Sequence, residues 1–547
     1  MSSFPWLTVS AAIPLAGAIV VALIPKVPGE PGQAARDRLV KWVSLVFSLL
    51  ALAATVGMLI AFTPGGPAFQ FTQSFQWIPQ FGIHYAVGVD GIGLVLIAMT
   101  TILMPVVVLA SWHDADPVAP TTPANGTAAG AIPRRRGSVK AYFAWMLLLE
   151  AMLVLLFAAT DVFLFYVLFE AMLIPMYFMI GSYGVGKRQY AAVKFLLYSL
   201  LGGLLMLAAV IALYVYSAQG GHAGTFLLSQ LTHVALSPDA QKWLFLGFFV
   251  AFAIKAPLWP FHTWLPDAAA AAQPGGAVLL VGIMDKVGTF GMIRYCLELF
   301  PSAARYFTPL IIALAVIGIL YGAVVAIGQA DIKRLIAYTS VSHFGLIVLG
   351  IFVFTSQGQT GATLYMVNHG FATGALFLVA GFMIVRRRSH MIADYGGVQK
   401  VAPLLAGAFL ISGLAGLSLP GLNTFVSEFL VLVGTFTKYK AAAVAATVAI
   451  ILAAIYILWM YQRTMTGPVR EEVKDFPDLR ARELWAVGPL IALIIALGVY
   501  PQPVLNIINP AVHRTMVAVH TTDPAPPHPA TVGSGASGAS SLKGTAP

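Results

Sequence analysis

Apolar stretches of about twenty residues, separated by short polar segments, recur along nearly the whole chain. A helix of roughly 20 residues crosses the hydrocarbon core of a bilayer, so the pattern predicts an all-α polytopic membrane protein. The predicted spans are fourteen: 5–25, 39–63, 88–111, 139–158, 161–183, 190–217, 243–264, 275–299, 305–329, 332–354, 361–385, 402–436, 440–462 and 483–500. Two of them are interrupted. Span seven lies in GFFVAFAIKAPLWPFHTWLPD (247–267), where Lys255 is followed at once by Pro257 and Pro260. Span twelve carries Pro420 and Gly421 inside it. Proline removes a backbone donor and clashes with the preceding turn, so helices seven and twelve should be discontinuous. Broken backbone survives at membrane depth only where protein buries it or a wet cavity meets it.

The two breaks lie five spans apart. Spans 4–8 and 9–13 would then be two five-helix repeats, and an odd number of spans inverts the second copy. Inverted repeats with discontinuous helices are a transporter plan. The expected organisation is helices 1–3 over 1–111, a flexible cytoplasmic loop over 112–138, repeats over 139–299 and 305–462, a last helix over 483–500, and a tail over 501–547. The loop is rich in Pro, Thr, Ala and Gly; from about 521 the tail is Pro, Ala, Gly and Ser and is expected to be disordered.

Charge then fixes the topology. With the N-terminus outside, the inner loops hold 22 of the 31 lysines and arginines, among them Arg134-Arg135-Arg136 and Arg386-Arg387-Arg388. The outer side holds seven, and Lys255 and Lys286 lie within spans. This asymmetry supports an even span count with both termini outside. It also explains the net charge of +10 without a nucleic-acid partner. The chain is 59% hydrophobic and 10% charged, far from a soluble composition. Its one cysteine, Cys296, excludes internal disulfides and cysteine-ligated iron–sulfur clusters. The first apolar stretch lacks a basic flank or cleavage site, and so reads as a retained span. The segment GSYGVGKR (181–188) imitates a phosphate loop, but Arg188 replaces the hydroxyl and a membrane helix precedes it. The histidines show no H-x-x-x-H pair, so no metal site is expected.

Ionisable residues inside spans form a short series: Glu150, Glu170, Lys255, Asp285, Lys286, His343, His369 and Glu428. Each is costly in lipid, roughly 2.5–3.5 kcal/mol for a lysine or aspartate on insertion scales, so each should face the protein interior. Lone buried carboxylates and histidines are also compatible with structural ion pairs and hydrogen bonds; eight together point to a proton relay. A buried amine releases its proton more readily than one in water, and a nearby carboxylate opposes that. Moving Glu170 toward or away from Lys255 would load or eject a proton. Histidine passes a proton between its two nitrogens near neutrality. Asp285 and Lys286 are neighbours pointing about 100° apart on a helix, so they should not pair directly; Asp285 and Glu150 have supporting places with no assigned step.

FAIKAPLWPFHTWLPD (252–267) resembles the seventh-span signature of the antiporter-like subunits of respiratory complex I. LFEAMLIPMYFMIGSYG (168–184), DIKRLIAYTSVSHFGL (331–346) and LPGLNTFVSEFLVL (419–432) are similar to the companion motifs of that family. The resemblance covers spans three to thirteen. It implies fourteen spans with the repeats above, and proton pumping driven by quinone reduction elsewhere in the complex. By motif, Glu170, Lys255, Lys286, His343 and His369 match the family's buried relay residues. Glu428 stands where most members carry a lysine and one member type carries a glutamate; the lack of a long lateral helix favours that same type. Asp285 and the extended tail depart from the pattern. The resemblance implies no cofactor in this chain, with FMN, iron–sulfur clusters and quinone in partner subunits. It also implies neighbouring antiporter-like subunits as partners and a bacterial inner-membrane location with periplasmic termini. Subunits of multisubunit sodium/proton antiporters, membrane-bound hydrogenases, or a purely structural membrane-arm role are the alternatives.

Overall fold

The computed structural model describes residues 4–116, 138–221 and 223–524. Backbone in hydrocarbon must satisfy its own hydrogen bonds, and the apolar runs accordingly close into helices. Among the described residues twelve helices are long and apolar enough to cross a membrane: Trp6–Leu23, Pro31–Ala61, Gly91–Ala110, Val139–Ala158, Val162–Tyr183, Arg188–Ser217, Pro274–Leu297, Pro301–Ile327, Ile332–Phe352, Ser356–Arg387, Lys440–Met465 and Ala481–Val499. The two remaining spans are broken, as the prolines predict. The seventh consists of Pro238–Lys255 and Trp264–Ala271. The twelfth consists of Pro403–Gly416 and Asn423–Phe436. This is the expected polytopic all-helical class with fourteen spans.

Burial separates a central row from a lipid-facing rim. The eighth span is 100% buried and the tenth and eleventh 94%, whereas the second, thirteenth and fourteenth are 33% buried. The relay candidates in spans eight, ten and eleven therefore lie on the most protected helices. The rim presents Leu197, Leu201, Ile451 and Trp485, which water would penalise and lipid accepts.

Two matching local structures relate the halves. Asp161 caps the fifth span by accepting from the Phe163 and Leu164 amides; Asp331 caps the tenth by accepting from Lys333 and Arg334. Each aspartate also sits in an isolated antiparallel bridge to the segment two spans later, Asp161 to Leu227 and Asp331 to Met391. The same cap recurs five spans apart. One copy contacts the hairpin over 70–89 through the His84 amide and the other lies beside the Arg386–Arg388 loop.

Two elements differ from the expectation. The segment between spans two and three forms an antiparallel hairpin, Gln70–Ile78 with Ile83–Val89. It alternates enough to pair, yet it is too short and polar to register as a span. Residues 502–518, expected as tail, form the helix Gln502–Ala518; its apolar face, including Ile508, Val512 and Met516, is buried on the bundle. The expected flexible loop at 112–138 lies outside the described residues except for 112–116 and 138, and so does the expected disorder of the tail beyond 524. The hairpin accepts a contact from Thr8, while Arg514 and Arg305 reach Gly66 and Val519. Both ends of the described chain therefore lie on the hairpin's face.

Candidate functional site

The seventh span ends its first half on Lys255 because Pro257 has no amide to continue the ladder. The loosened carbonyl of Ile254 accepts from the indole Nε1 of Trp264, at 2.9 Å, in place of a backbone donor. Lys255 is fully buried, and its Nζ has no hydrogen-bond partner among the described residues. It lies 4.7 Å from the ring centre of Phe169 and 5.7 Å from that of Phe195, a cation–π setting that partly replaces water. Its charge faces two carboxylates, Glu170 and Asp285. No ion pair joins them among the described residues: nitrogen and oxygen are more than 4.0 Å apart.

Glu170 is placed by a break in the fifth span. Val162–Ala171 gives way to Leu173–Tyr183 at Met172, shortly before Pro175. Its carboxylate fills the space beside Gly203 of the sixth span: a Cβ on Gly203 would lie 1.6 Å from Glu170 Oε1. The adjacent Gly202 lets the seventh span approach, with a Cβ there only 3.1 Å from Ala251 Cα. The glycine pair is thus a niche for the carboxylate and a close helix contact at once.

The eighth span is wound as a π-helix over Val278–Met284 and again over Met292–Leu297. Such wide turns are rare and concentrate at functional sites. The Asp285 amide reaches back five residues to Leu280 O instead of four to Val281 O. Lys286 Nζ donates to that Val281 carbonyl at 2.5 Å and lies 2.7 Å from His369 Nδ1.

From His369 the polar groups continue. Its ring centre is 5.3 Å from that of His343, which is 5.8 Å from that of Tyr365. Tyr365 donates a hydrogen bond to Glu428 Oε1. The twelfth-span break supports this end. Ser418, at a left-handed φ of 61°, lies in the loop of that break, and Thr424 Oγ1 at the start of its second half donates to Ala415 O. Asn368 donates to Asn423 O and Asn423 donates back to Asn368 O, tying the second half of span twelve to span eleven. Pro420 lies in the loop of this break as Pro257 and Pro260 lie in that of the seventh span.

Glu170, Lys255, Asp285, Lys286, His343, His369 and Glu428 are therefore brought into one row. Glu150 is not shown to join it: it is fully buried in the fourth span, with neither oxygen hydrogen bonded and no charged group facing it.

Residues 159–453 match the family described as NADH:quinone oxidoreductase/Mrp antiporter, transmembrane. Over 542 residues the chain is 54% identical to NADH-quinone oxidoreductase subunit M of Mycobacterium tuberculosis, covering 96% of each. The chain belongs to the subunit M family of NADH-quinone oxidoreductases. Among solved structures it is similar to a chain of respiratory complex I from Thermus thermophilus, at a TM-score of 0.81 and 28% identity, covering 94% of this chain and 99% of that one. A chain of the Mrp complex from a Dietzia species shares the fold, at a TM-score of 0.78 and 21% identity, over 95% of this chain and 100% of that one.

Within this member of the subunit M family, four positions beside the buried row escape the charge pattern. Tyr365 precedes His369 by four residues, so the two share a helix face, but a tyrosine in an apolar span is unremarkable by itself. Gly203 and the Asn368–Asn423 pair carry no charge at all. A further pair lies outside the spans: His390 Nδ1 is 2.7 Å from Asp331 Oδ2 at the cap of span ten. The hydrogen bond that His390 donates to Asp331 holds His390 above the ordinary histidine value, against its partial burial. Burial pushes Asp331 up, but the hydrogen bond and charge of His390 outweigh it and leave the carboxylate lowered.

Proposed function

We propose that the buried row is the proton path of an antiporter-like subunit M, driven by quinone reduction in partner subunits. The observation that carries this reading is the buried series Lys286, His369, His343, Tyr365 and Glu428, its first four members set in the most buried helices among the described residues. Each member either gains and loses protons or relays a hydrogen bond, and the surrounding core is apolar. A proton enters from the inner face toward Lys255, moves along the midplane through Lys286 and the histidines, and leaves to the outer face near Glu428. Glu170 sets the charge state of Lys255 without being bonded to it.

The two five-helix repeats, 139–299 and 305–462, would supply one broken helix each. The redox chemistry, with FMN, iron–sulfur clusters and quinone, belongs to the partner subunits of the complex, among them neighbouring antiporter-like subunits. The hairpin face, with both chain ends, is assigned to the periplasmic side of a bacterial inner membrane, because the arginine-rich loops face the other way.

The test is isolation in mild detergent followed by an NADH–quinone oxidoreductase assay on wild type and Lys255→Ala. Activity that travels with the chain, and pumping that falls in the variant, support the reading. The shared fold with an Mrp complex keeps one alternative specific: strict sodium dependence of transport, with no redox activity in the isolate, would reassign the coupled ion.

A further inference from the structure

Asp285 is a fully buried carboxylate with no hydrogen bond to either oxygen among the described residues. A buried, unbonded carboxylate costs several kcal/mol, so such a group is stable only when neighbouring charge or a bound proton compensates it. Its position supplies the charge. Gly288, one turn further along the same face, lies against the broken seventh helix: a Cβ there would come 2.5 Å from Phe252 O and 2.6 Å from Ala256 N. Asp285 thus looks toward the break that carries Lys255, and its charge faces both Lys255 and Lys286. Lys286 itself is turned away, bonded to Val281 O and His369. The wide π turn just before Asp285 brings these two neighbouring side chains to separate tasks. Lys255 Nζ, also without a partner, has Glu170 on one side and Asp285 on the other.

We propose that Asp285 is the group through which the proton passes from Lys255 to Lys286, an inference that rests on the relay reading above. The Lys255 ammonium gives a proton, through an intervening water, to the Asp285 carboxylate, leaving a neutral amine and a carboxylic acid. Asp285 then gives that proton to the neutral amine of Lys286 and returns to carboxylate. Charge and protons balance at both steps, and Lys286 hands on to His369. The polarity of the site and its unpartnered atoms are the conditions under which a bridging water is held.

The experiment uses the assembled complex in sealed vesicles, with proton flux and NADH oxidation recorded together. Asp285→Asn is expected to lower protons moved per electron to the level of Lys255→Ala, and Asp285→Glu to restore most of it. A residue that only shaped the helix would tolerate the near-isosteric Asn and suffer from the longer Glu, the opposite order. An unchanged ratio in Asp285→Asn beside a lowered one in Lys255→Ala overturns the role of Asp285 and leaves the relay standing. Unchanged ratios in both overturn the relay and this step with it. Should Asp285→Asn not assemble, a hydrophobic carbodiimide is applied to the wild-type complex. This reagent takes protonated carboxyl groups, so an adduct on the Asp285 peptide supports the proposal. Adducts on Glu170 or Glu428 without one on Asp285 count against it.

Discussion

The two ends of the buried row are built on opposite plans. At the Glu428 end the groups pack against one another: Tyr365 donates to Glu428, and the His343 ring lies against those of Tyr365 and His369. At the Lys255 end nothing touches: the amine is unbonded, Glu170 rests in its glycine niche, and Asp285 has two bare oxygens. A closely packed series passes protons over short gaps and is sensitive to geometry. An unbonded trio conducts only when water or a small movement closes the gaps, so it can be opened and shut. On the proposed relay, the contrast gives switching to the Glu170–Lys255–Asp285 side and conduction to the side of the histidines.

The strongest way to break this contrast is Lys255→Met. The amine has no bond to lose, so the stability should be unchanged or raised, in keeping with gains of about 1–4 kcal/mol when buried ionic groups give way to apolar ones. Quinone-linked pumping should fall by up to roughly 100-fold, the low end for a positioned acid–base group. Thermal unfolding of the purified complex and vesicle acidification measure the two effects. Loss of stability with intact pumping would reverse the assignment.

Tyr365→Phe probes the other end and should behave in the opposite way. It strips a hydrogen bond from a buried carboxylate, at a cost of about 1.5–3 kcal/mol, and should lower the melting temperature while pumping slows but persists. Gly203→Ala tests the niche. The added methyl collides with Glu170, and overpacking of this kind costs about 1–3 kcal/mol. The displaced carboxylate should also uncouple oxidation from pumping, and an unaltered coupling ratio would show that Glu170 does not depend on its seat.

The smallest effect concerns the loop, where no relay runs. His390 gains a proton more readily when folded than when unfolded, because Asp331 accepts from it. Its contribution to stability is therefore complete below the ordinary histidine value of 6.5 and fades as pH rises through the elevated one. The imidazole is about half exposed, so screening keeps the effect under about 1 kcal/mol. A pH series of melting temperatures should show the decline in wild type and a flatter curve in His390→Ala.

The breaks were legible in the sequence because proline acts through the backbone alone, whatever surrounds it. The buried charges were legible because lipid makes each expensive. Tyr365 was not, since its hydroxyl matters only through the position of Glu428, 63 residues away. Gly203 was hidden for the same reason: its value lies in a side chain it does not have, and the carboxylate filling the space comes from another helix. The hairpin and the helix Gln502–Ala518 escaped a search tuned to spans, because each is stable only when laid on the finished bundle.

The π-wound turn ahead of Lys286 has a consequence for how this chain tolerates insertions and deletions. Membrane helices usually accept the loss of one apolar residue, since length and hydropathy hardly change. A loss ahead of Lys286 that left the wide turn over Val278–Met284 in place would rotate everything after it by about 100°. Lys286 would then point away from His369 while the span still crossed the bilayer and the chain still inserted. The helix phase ahead of Lys286 is a reading frame in space: single deletions of that kind should abolish pumping without abolishing membrane insertion.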